Sequence, residues 1–559
     1  MLNPAFGEAA GRDNSAEQAS TLERGAIAIC FLAMAVLAYT RNVNWDEFHY
    51  LSFVHLWLDG ELDRPMQMGH VHAFGWLDLL PGSEMTQIFA ARLVMLGCVA
   101  VTALSIHRIA AHFTTARFAT LAVLAYLCSG FVLAHGGSFR ADPIAAALLT
   151  SALAVAMTSR LAVWHLFVIG LLVALAHMVT IKSALYLPCF LGVLVWRLAE
   201  RGAVLRLCFA ALLAGGLFAV LYALHVSSLV VAEGKDTVST ASGAVRKTLL
   251  SHELFPRSDT ILSWALFSLP QIALALLAFK AAGRSRLFIV LLLFIVPLMS
   301  VVIYRNAFVY FFPFAVPLLM VAAAIGAHRF LSQVTLERAV LLMLAGAALQ
   351  VALILPENAR TQRDTIAEVH RLFDAPVSYI DGYGMVSSFD NTSFFTSSWG
   401  VAGYRARGAA VFPDIIATKR PPLLIAHRRP LGAAMWEDFA RNSDLDLLPE
   451  DRAALRASYV HYSGSLWLAG AHAELGPEPQ VLTLPFPGRY RIEATGPVVI
   501  NSVAYKPGDS LDVQDLELDV TGDVGTKLRL IWDTGVPPIE RGALGNDVFA
   551  GFTRLVLFD

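Results

Sequence analysis

Two adjacent carboxylates, Asp46 and Glu47, follow the first apolar segment of the chain in the stretch Trp45-Asp-Glu-Phe-His-Tyr-Leu51. Cations recur at three later apolar boundaries: Arg140 in Ser138-Phe-Arg-Ala-Asp142-Pro143, Lys182 in Thr180-Ile-Lys-Ser183, and Arg305 in Tyr304-Arg-Asn306. A carboxylate held at a membrane surface can take the proton of a hydroxyl. Cations at the same level can hold an anion such as a phosphate. Each residue also has a plainer reading. Asp46 could cap the helix that follows it, and a lone Lys or Arg at a span end commonly snorkels to lipid phosphates. The choice turns on whether these residues share one face of a membrane.

The elements that would position them start with a helix from about Asp46 to Leu58, on which Asp46, Tyr50 and Phe53 share a face, with Trp57 near it. Such a helix is expected to lie in the interface, aromatic toward lipid and polar toward an aqueous cleft. Only 15% of the 559 residues are charged, against about 25% in soluble domains, and the deficit is concentrated before Pro356. From about Gly25 to Leu355 the chain is a series of apolar runs, each of roughly bilayer-spanning length. About eleven spans are expected, near 25–41, 86–106, 118–135, 142–158, 162–179, 183–198, 207–230, 260–279, 287–304, 308–327 and 338–355. The formal net charge of -2 shows no basic excess, which excludes a nucleic-acid partner. All five cysteines lie in or beside apolar runs, so no disulfide framework or zinc site is expected in the C-terminal part.

Charge placement then orients the chain. With residues 1–24 as a cytoplasmic tail, the inner connections carry Arg108, Arg117, Arg160, Arg201, Arg284 and Arg329, as the positive-inside rule asks. The first outer loop, 42–85, is rich in acids instead, and a second outer loop covers 231–259. Asp46, Arg140, Lys182 and Arg305 all fall on the outer side. An odd span count puts the region after Pro356 outside as well, which in a bacterium is the periplasm, with the spans in the inner membrane.

That C-terminal region reads as two sections. Residues 356–475 mix helical signals, as in Met435-Trp-Glu-Asp-Phe-Ala-Arg441, with short strands such as Pro422-Leu-Leu-Ile425. From 476 to 559 short alternating strands are separated by Pro-Gly, Gly-Pro and Gly-Asp turns, which suggests a β-sandwich. This sandwich resembles a carbohydrate-binding module. The expected fold class is thus a polytopic α-helical membrane domain (25–355) with a C-terminal α/β plus β-sandwich region.

The order of motifs adds a resemblance. Asp46-Glu47, then Ala91-Arg92-Leu93, Arg140-Ala-Asp142, Thr180-Ile-Lys182 and Arg305 with Tyr310 and Pro313 resemble the polytopic GT-C glycosyltransferases. The nearest look is to bacterial relatives of the protein O-mannosyltransferases and of the aminoarabinose transferase of lipid A, over most of residues 40–320. The resemblance implies a polyprenyl-phosphate sugar donor and transfer to a hydroxyl of a glycan, lipid or protein acceptor. It implies Asp46 as catalytic base in an inverting displacement, and Arg140, Lys182 and Arg305 as donor-phosphate ligands. Glu47 and Asp142 are supporting acids, and Arg92 is a structural partner for an acid. Tyr50, His70, His72 and Tyr310 are candidate sugar or acceptor contacts. Relatives with and without a divalent ion exist, so a metal is compatible and none is required. The chain departs from the family where a Lys-Pro-Pro-Leu element is common; it reads Met68-Gly-His70-Val-His72-Ala-Phe-Gly-Trp76 instead. Two other classes compete: a transporter, which would place ionisable groups in mid-span, and a non-catalytic assembly protein for envelope polysaccharide.

Overall fold

The computed structural model describes residues 21–230, 254–356, 359–436, 444–540, 542–546, 548 and 555–557. Most of the N-terminal tail, residues 231–253 of the second outer loop, and most of the helical signal ending at Arg441 lie outside the described residues.

Among the described residues, ten α-helices lead from Thr21 to the second loop: α1 (Thr21–Thr40), α2 (Trp45–Leu58), α3 (His70–Phe74), α4 (Glu84–Ala111), α5 (Ala116–Leu127), α6 (Val132–His135), α7 (Ala141–Thr158), α8 (Val163–Val179), α9 (Leu187–Trp196) and α10 (Ala203–Ser227). All eleven apolar stretches fall on helix, but not all on one unbroken helix. Among the described residues, six helices are long and apolar enough to cross a membrane, or eight if two bent pairs are each one span. The pairs, Ser258–Phe267 with Leu269–Ala282 and Val309–Ala315 with Pro317–Phe330, bend by 84° and 58°. Pro270 and Pro317 open their second pieces, where a ring without an N–H is tolerated in a first turn but not in a continuous helix. The chain is a multi-pass membrane protein. Its surface requires it: Leu205 and Leu212 on α10 are each 76% exposed, a placement suited to lipid and costly in water. Small residues let helices approach closely, as at Gly326, where a Cβ would collide with the Leu274 carbonyl.

The C-terminal region is built on strands β1 (Ser378–Asp381), β2 (Asp390–Asn391), β3 (Leu423–Ile425), β4 (Tyr459–Ser463), β5 (Leu466–Glu474), β6 (Gln480–Thr483), β7 (Gly488–Ala494), β8 (Val498–Ile500), β9 (Val503–Tyr505), β10 (Ser510–Val513), β11 (Glu517–Gly522) and β12 (Lys527–Trp532). The first sheet runs β10-β7-β12-β5-β3-β1-β2, with β4 also on β5; the second runs β6-β11-β8-β9. β1 pairs in parallel with β2 and β3, whereas β3 meets β5 antiparallel, with Leu423 opposite Leu468. Tyr490, Ile492 and Leu530 of one sheet pack with Leu482, Val498 and Leu518 of the other. The β-sandwich therefore exists, but its first sheet continues unbroken into the α/β section through β5.

This region is seated on α2. Phe48, Leu51 and Val54 share one apolar cluster with Ile366, Tyr379 and Val386. Polar contacts fasten the same seam. The Gln362 amide exchanges two 2.8 Å hydrogen bonds with the Val43 backbone. The Ala359 N–H donates to the Thr40 carbonyl at 3.0 Å, and Glu84 accepts from Ser388 Oγ at 2.6 Å and pairs with His370 at 2.8 Å. The expectation of an aromatic face turned to lipid does not hold for α2. Tyr50 and Phe53 pack against His70, with Phe139 beside Tyr50, and Trp57 lies edge-on to His72; on the neighbouring side of the helix the C-terminal region covers Trp45 with Tyr383 and His49 with Phe395.

Candidate functional site

The local sequence Asn44-Trp-Asp-Glu47 decides where the two acids go. Asn44 caps α2: its Oδ1 accepts from the Asp46 N–H at 3.0 Å, and the Glu47 carboxylate accepts from the Asn44 N–H at 3.1 Å. This is the reciprocal capping box, which satisfies the orphan donors of a first helical turn. The cap role therefore belongs to Asn44, and the Asp46 side chain is available elsewhere.

Glu47 turns inward. It is wholly buried, accepts from Arg92 Nε and Nη2 at 2.7 Å each, and accepts from the Phe139 N–H at 2.9 Å. Arg92 also donates to the carbonyls of Ala38, Arg41 and Asn42, closing the turn between α1 and α2 onto α4. Arg41 stands 3.6 Å from Glu47 and donates to Ser138 Oγ. Burial pushes the Glu47 carboxyl up, but the guanidinium of Arg92, with Arg41 and the Phe139 N–H, outweighs it and holds the group at about 2. A charge this enclosed stays because every lone pair is met. Glu47 thus holds Arg92 and Arg41 and reaches no open surface.

Asp46 faces the other cations. Its side chain is 18% exposed and ion-paired with Arg140, the residue that precedes α7. Arg140 Nε stands 3.8 Å from Asp142, and Asp142 in turn pairs with Lys182. Asp142 lies in the first turn of α7, where the helix dipole favours an anion. Lys182 is set by Thr180, whose Oγ1 accepts from the Lys182 N–H at 3.3 Å. Tyr310 closes the group: the Arg140 guanidinium carbon lies 3.3 Å from its ring centroid and Lys182 Nζ 5.6 Å. Asp46, Arg140, Asp142, Lys182 and Tyr310, drawn from four separate parts of the chain, form one charge-balanced cluster. The acids Asp46 and Asp142 raise the affinity of Arg140 for its proton, over the opposing effect of burial.

The remaining candidates are spread around it. Tyr50 is half-buried next to the cluster, where loss of solvent pushes its phenol up, with its ring 4.5 Å from His70. His70 is buried, bonds the Tyr50 carbonyl at 3.3 Å, and is pushed down to about 4 by burial, so it is a neutral packing group. His72 points elsewhere, to His225 Nδ1 at 2.8 Å and edge-on to Trp57. Arg305 is exposed in the turn before Tyr310. Among the described residues, no group of three or more His, Cys, Asp or Glu side chains is placed to hold a metal ion. On the membrane side, an apolar cavity of about 450 Å³ lies between α8, α9 and α10. Its walls include His177 at the end of α8 and Leu187 at the start of α9, the two ends of the turn that carries Lys182.

The sequence reading missed several residues that shape this region. Asn44 was legible as Asn-x-x-Glu, a capping-box pattern. Arg41, His370 and Ser388 carry no local signal, since their partners are far off in sequence.

A polytopic helical membrane domain with its charged cluster at one end, joined to a C-terminal α/β and β-sandwich region, is the fold class that the sequence led us to expect. Among solved structures, the chain is similar to ArnT from Cupriavidus metallidurans in the apo state, with a TM-score of 0.50 and 14% identity over 71% of this chain and 91% of that one. It is also similar to the same enzyme bound to undecaprenyl phosphate (TM-score 0.45, 16% identity, 62% and 69% covered). A third similar structure is the archaeal oligosaccharyltransferase AglB from Archaeoglobus fulgidus, in complex with an inhibitory peptide and a dolichol-phosphate (TM-score 0.48, 10% identity, 94% and 98% covered). No protein-family model and no curated protein matches the sequence.

Proposed function

We propose that this chain is a membrane glycosyltransferase that moves a sugar from a polyprenyl-phosphate donor to a hydroxyl of an envelope glycan, lipid or protein. The cytoplasmic N-terminus and the periplasmic position of the cluster follow from the basic inner connections. The observation that carries the reading is the Asp46–Arg140–Asp142–Lys182 chain, two carboxylates and two cations held at the bundle end, with an apolar cavity walled by the two ends of the turn that carries Lys182. A lipid-linked phosphate needs both parts: cations for its head and an apolar groove for its chain.

The displacement has three movements. The acceptor oxygen forms a bond to the anomeric carbon, its proton passes to the Asp46 carboxylate, and the bond from that carbon to phosphate oxygen breaks with both electrons. Polyprenyl phosphate leaves, and Arg140 and Lys182 meet its growing charge, with Arg305 as a third cation. Arg140 suits a phosphate because its fork bonds two oxygens at once.

In the structure Arg140 is engaged by Asp46, so that carboxylate is occupied and not free to meet an acceptor hydroxyl. The donor phosphate competes for Arg140, and its arrival releases Asp46 when there is a sugar to transfer. Asp142 keeps Lys182 in place during the exchange. No metal is required in this scheme. A transporter reading gains nothing from the arrangement, since the charges gather at the bundle end.

The deciding experiment is incubation of the purified protein, and of Asp46→Asn, with a panel of polyprenyl-phosphate sugars. The native protein should consume one donor, and the folded variant should consume almost none. Transfer by the Asn variant at the native rate would rule out this mechanism.

A further inference from the structure

A second cavity, a cleft of about 700 Å³, lies on the covered face of α2, between that helix and the ends of β1 and β2. Its size falls within the roughly 300–1,000 Å³ of small-molecule sites. The wall is aromatic. His49 stacks on Phe395 with ring centroids 4.2 Å apart at 15°, and it lies 4.2 Å from Phe53. Tyr383 stands edge-on to Phe395 at 6.0 Å. Gly384, at φ +69°, brings this turn against α2: a Cβ built on it would lie 4.0 Å from the Ser52 Cβ. The rim is acidic: Asp59, Glu61, Asp63 and Asp390 line it against Arg64 and Lys419. Arg64 is itself 3.7 Å from Asp63. Burial pushes the His49 imidazole down to about 4, so it adds no positive charge near neutrality.

The cleft's His49 wall stands one turn along α2 from the charged cluster. His49 follows Asp46 by three residues on one helix, a rise of about 4.5 Å. An occupant lying on His49 and Phe395 can therefore present a hydroxyl toward Asp46. Aromatic faces stack on the C–H faces of sugar rings, and carboxylates accept from hydroxyls and attract amines. The same carboxylates repel phosphate.

We infer that this cleft binds the acceptor, and that the acceptor is a hydroxyl-rich glycan carrying no negative charge where it lies in the cleft. This rests on the glycosyl-transfer reading, which supplies the need for a hydroxyl beside Asp46. The two sites then divide the work by charge: cations for the donor phosphate on one side of Asp46, acids and aromatics for the acceptor on the other.

The test uses the full chain in nanodiscs and saturation-transfer NMR with three soluble probes: maltotriose, a glucosamine trimer and a phosphorylated maltotriose. The first two should bind saturably and the third at least tenfold more weakly. Phe395→Leu should weaken the first two tenfold or more. The rim variant Asp63→Lys with Asp390→Lys, which leaves the aromatic wall intact, should reverse the preference toward the phosphorylated probe. Tightest binding of the phosphorylated probe to the native protein, no binding of any probe, or indifference to both variants would each overturn the inference. Polyprenyl phosphate binding and the transfer activity of Asp46→Asn, measured separately, test the underlying reading. Donor consumption with no glycan in the cleft would sink the inference alone.

Discussion

Asp46 and Glu47 are neighbours of like charge on one helical turn, and each is paired with an arginine. Their surroundings make them different devices. Glu47 and Arg92 are both wholly buried, with Arg92 also bonded to three backbone carbonyls. Asp46 has one strong partner, keeps 18% of its side chain exposed, and sits beside a second ion pair that offers Arg140 an alternative acid. A salt bridge with every valence filled locks a fold, whereas one with spare geometry can exchange partners. The contrast teaches that ion-pair chemistry does not define a role; enclosure does.

The contrast can be broken in four places. Asp46→Asn removes the base and should lower transfer by about 10²–10⁴-fold with the melting temperature held; donor consumption and a thermal melt measure the two sides. Glu47→Gln leaves Arg92 buried without its counter-charge and should cost about 3–5 kcal/mol of stability. Loss of the folded, detergent-stable fraction on size exclusion would show it, and a native-like melt would mean the knot is dispensable. Lys182→Met should lower the chemical step by about 10²–10³-fold, as removal of a charge-stabilising donor does. Single-turnover rates at saturating donor would reveal this, and an effect confined to KM would place Lys182 in ground-state binding only.

The smallest effect concerns the seam between the membrane and C-terminal regions. The Glu84 hydrogen bond and charge raise the His370 imidazole above its usual range, over the effect of burial. Its stabilising contribution is therefore complete below the ordinary histidine value near 6.5 and lost as pH rises through the raised value. His370 is 35% exposed, so solvent screening limits the pair to about 1 kcal/mol or less. Melting temperature followed across that window should fall more in the native protein than in His370→Gln. Parallel curves would show that Ser388 and the apolar contacts carry the seam alone.

Legibility followed the range of the interaction. The apolar stretches were readable because bilayer thickness imposes a length on contiguous sequence, and every one lies on helix. The bends were less so: a Pro marks the break at Ser268, but packing sets an 84° angle there. Short turn-bounded strands disclosed the β-sandwich, but they could not disclose that β5 joins it to β3 in a single sheet. Asp46, Arg140, Asp142 and Lys182 were selected from sequence by type and by side of the membrane. The structure adds that they touch. His72 was selected on the same grounds, yet its partners are His225 and Trp57, since a two-residue step from His70 on a short helix sends it to another face.

By itself the sequence determined that this is a multi-pass membrane chain with a region of soluble composition after Pro356, and that acids and cations recur at the ends of apolar stretches. Those are properties of composition and periodicity, which contiguous residues carry alone. Only the tertiary structure decided which of two adjacent acids is enclosed and which is exposed, that Arg140 is shared between two carboxylates, and that a third surface closes over α2 to form a cleft. These depend on residues separated by dozens to hundreds of positions, brought together by burial and charge pairing that no local pattern encodes.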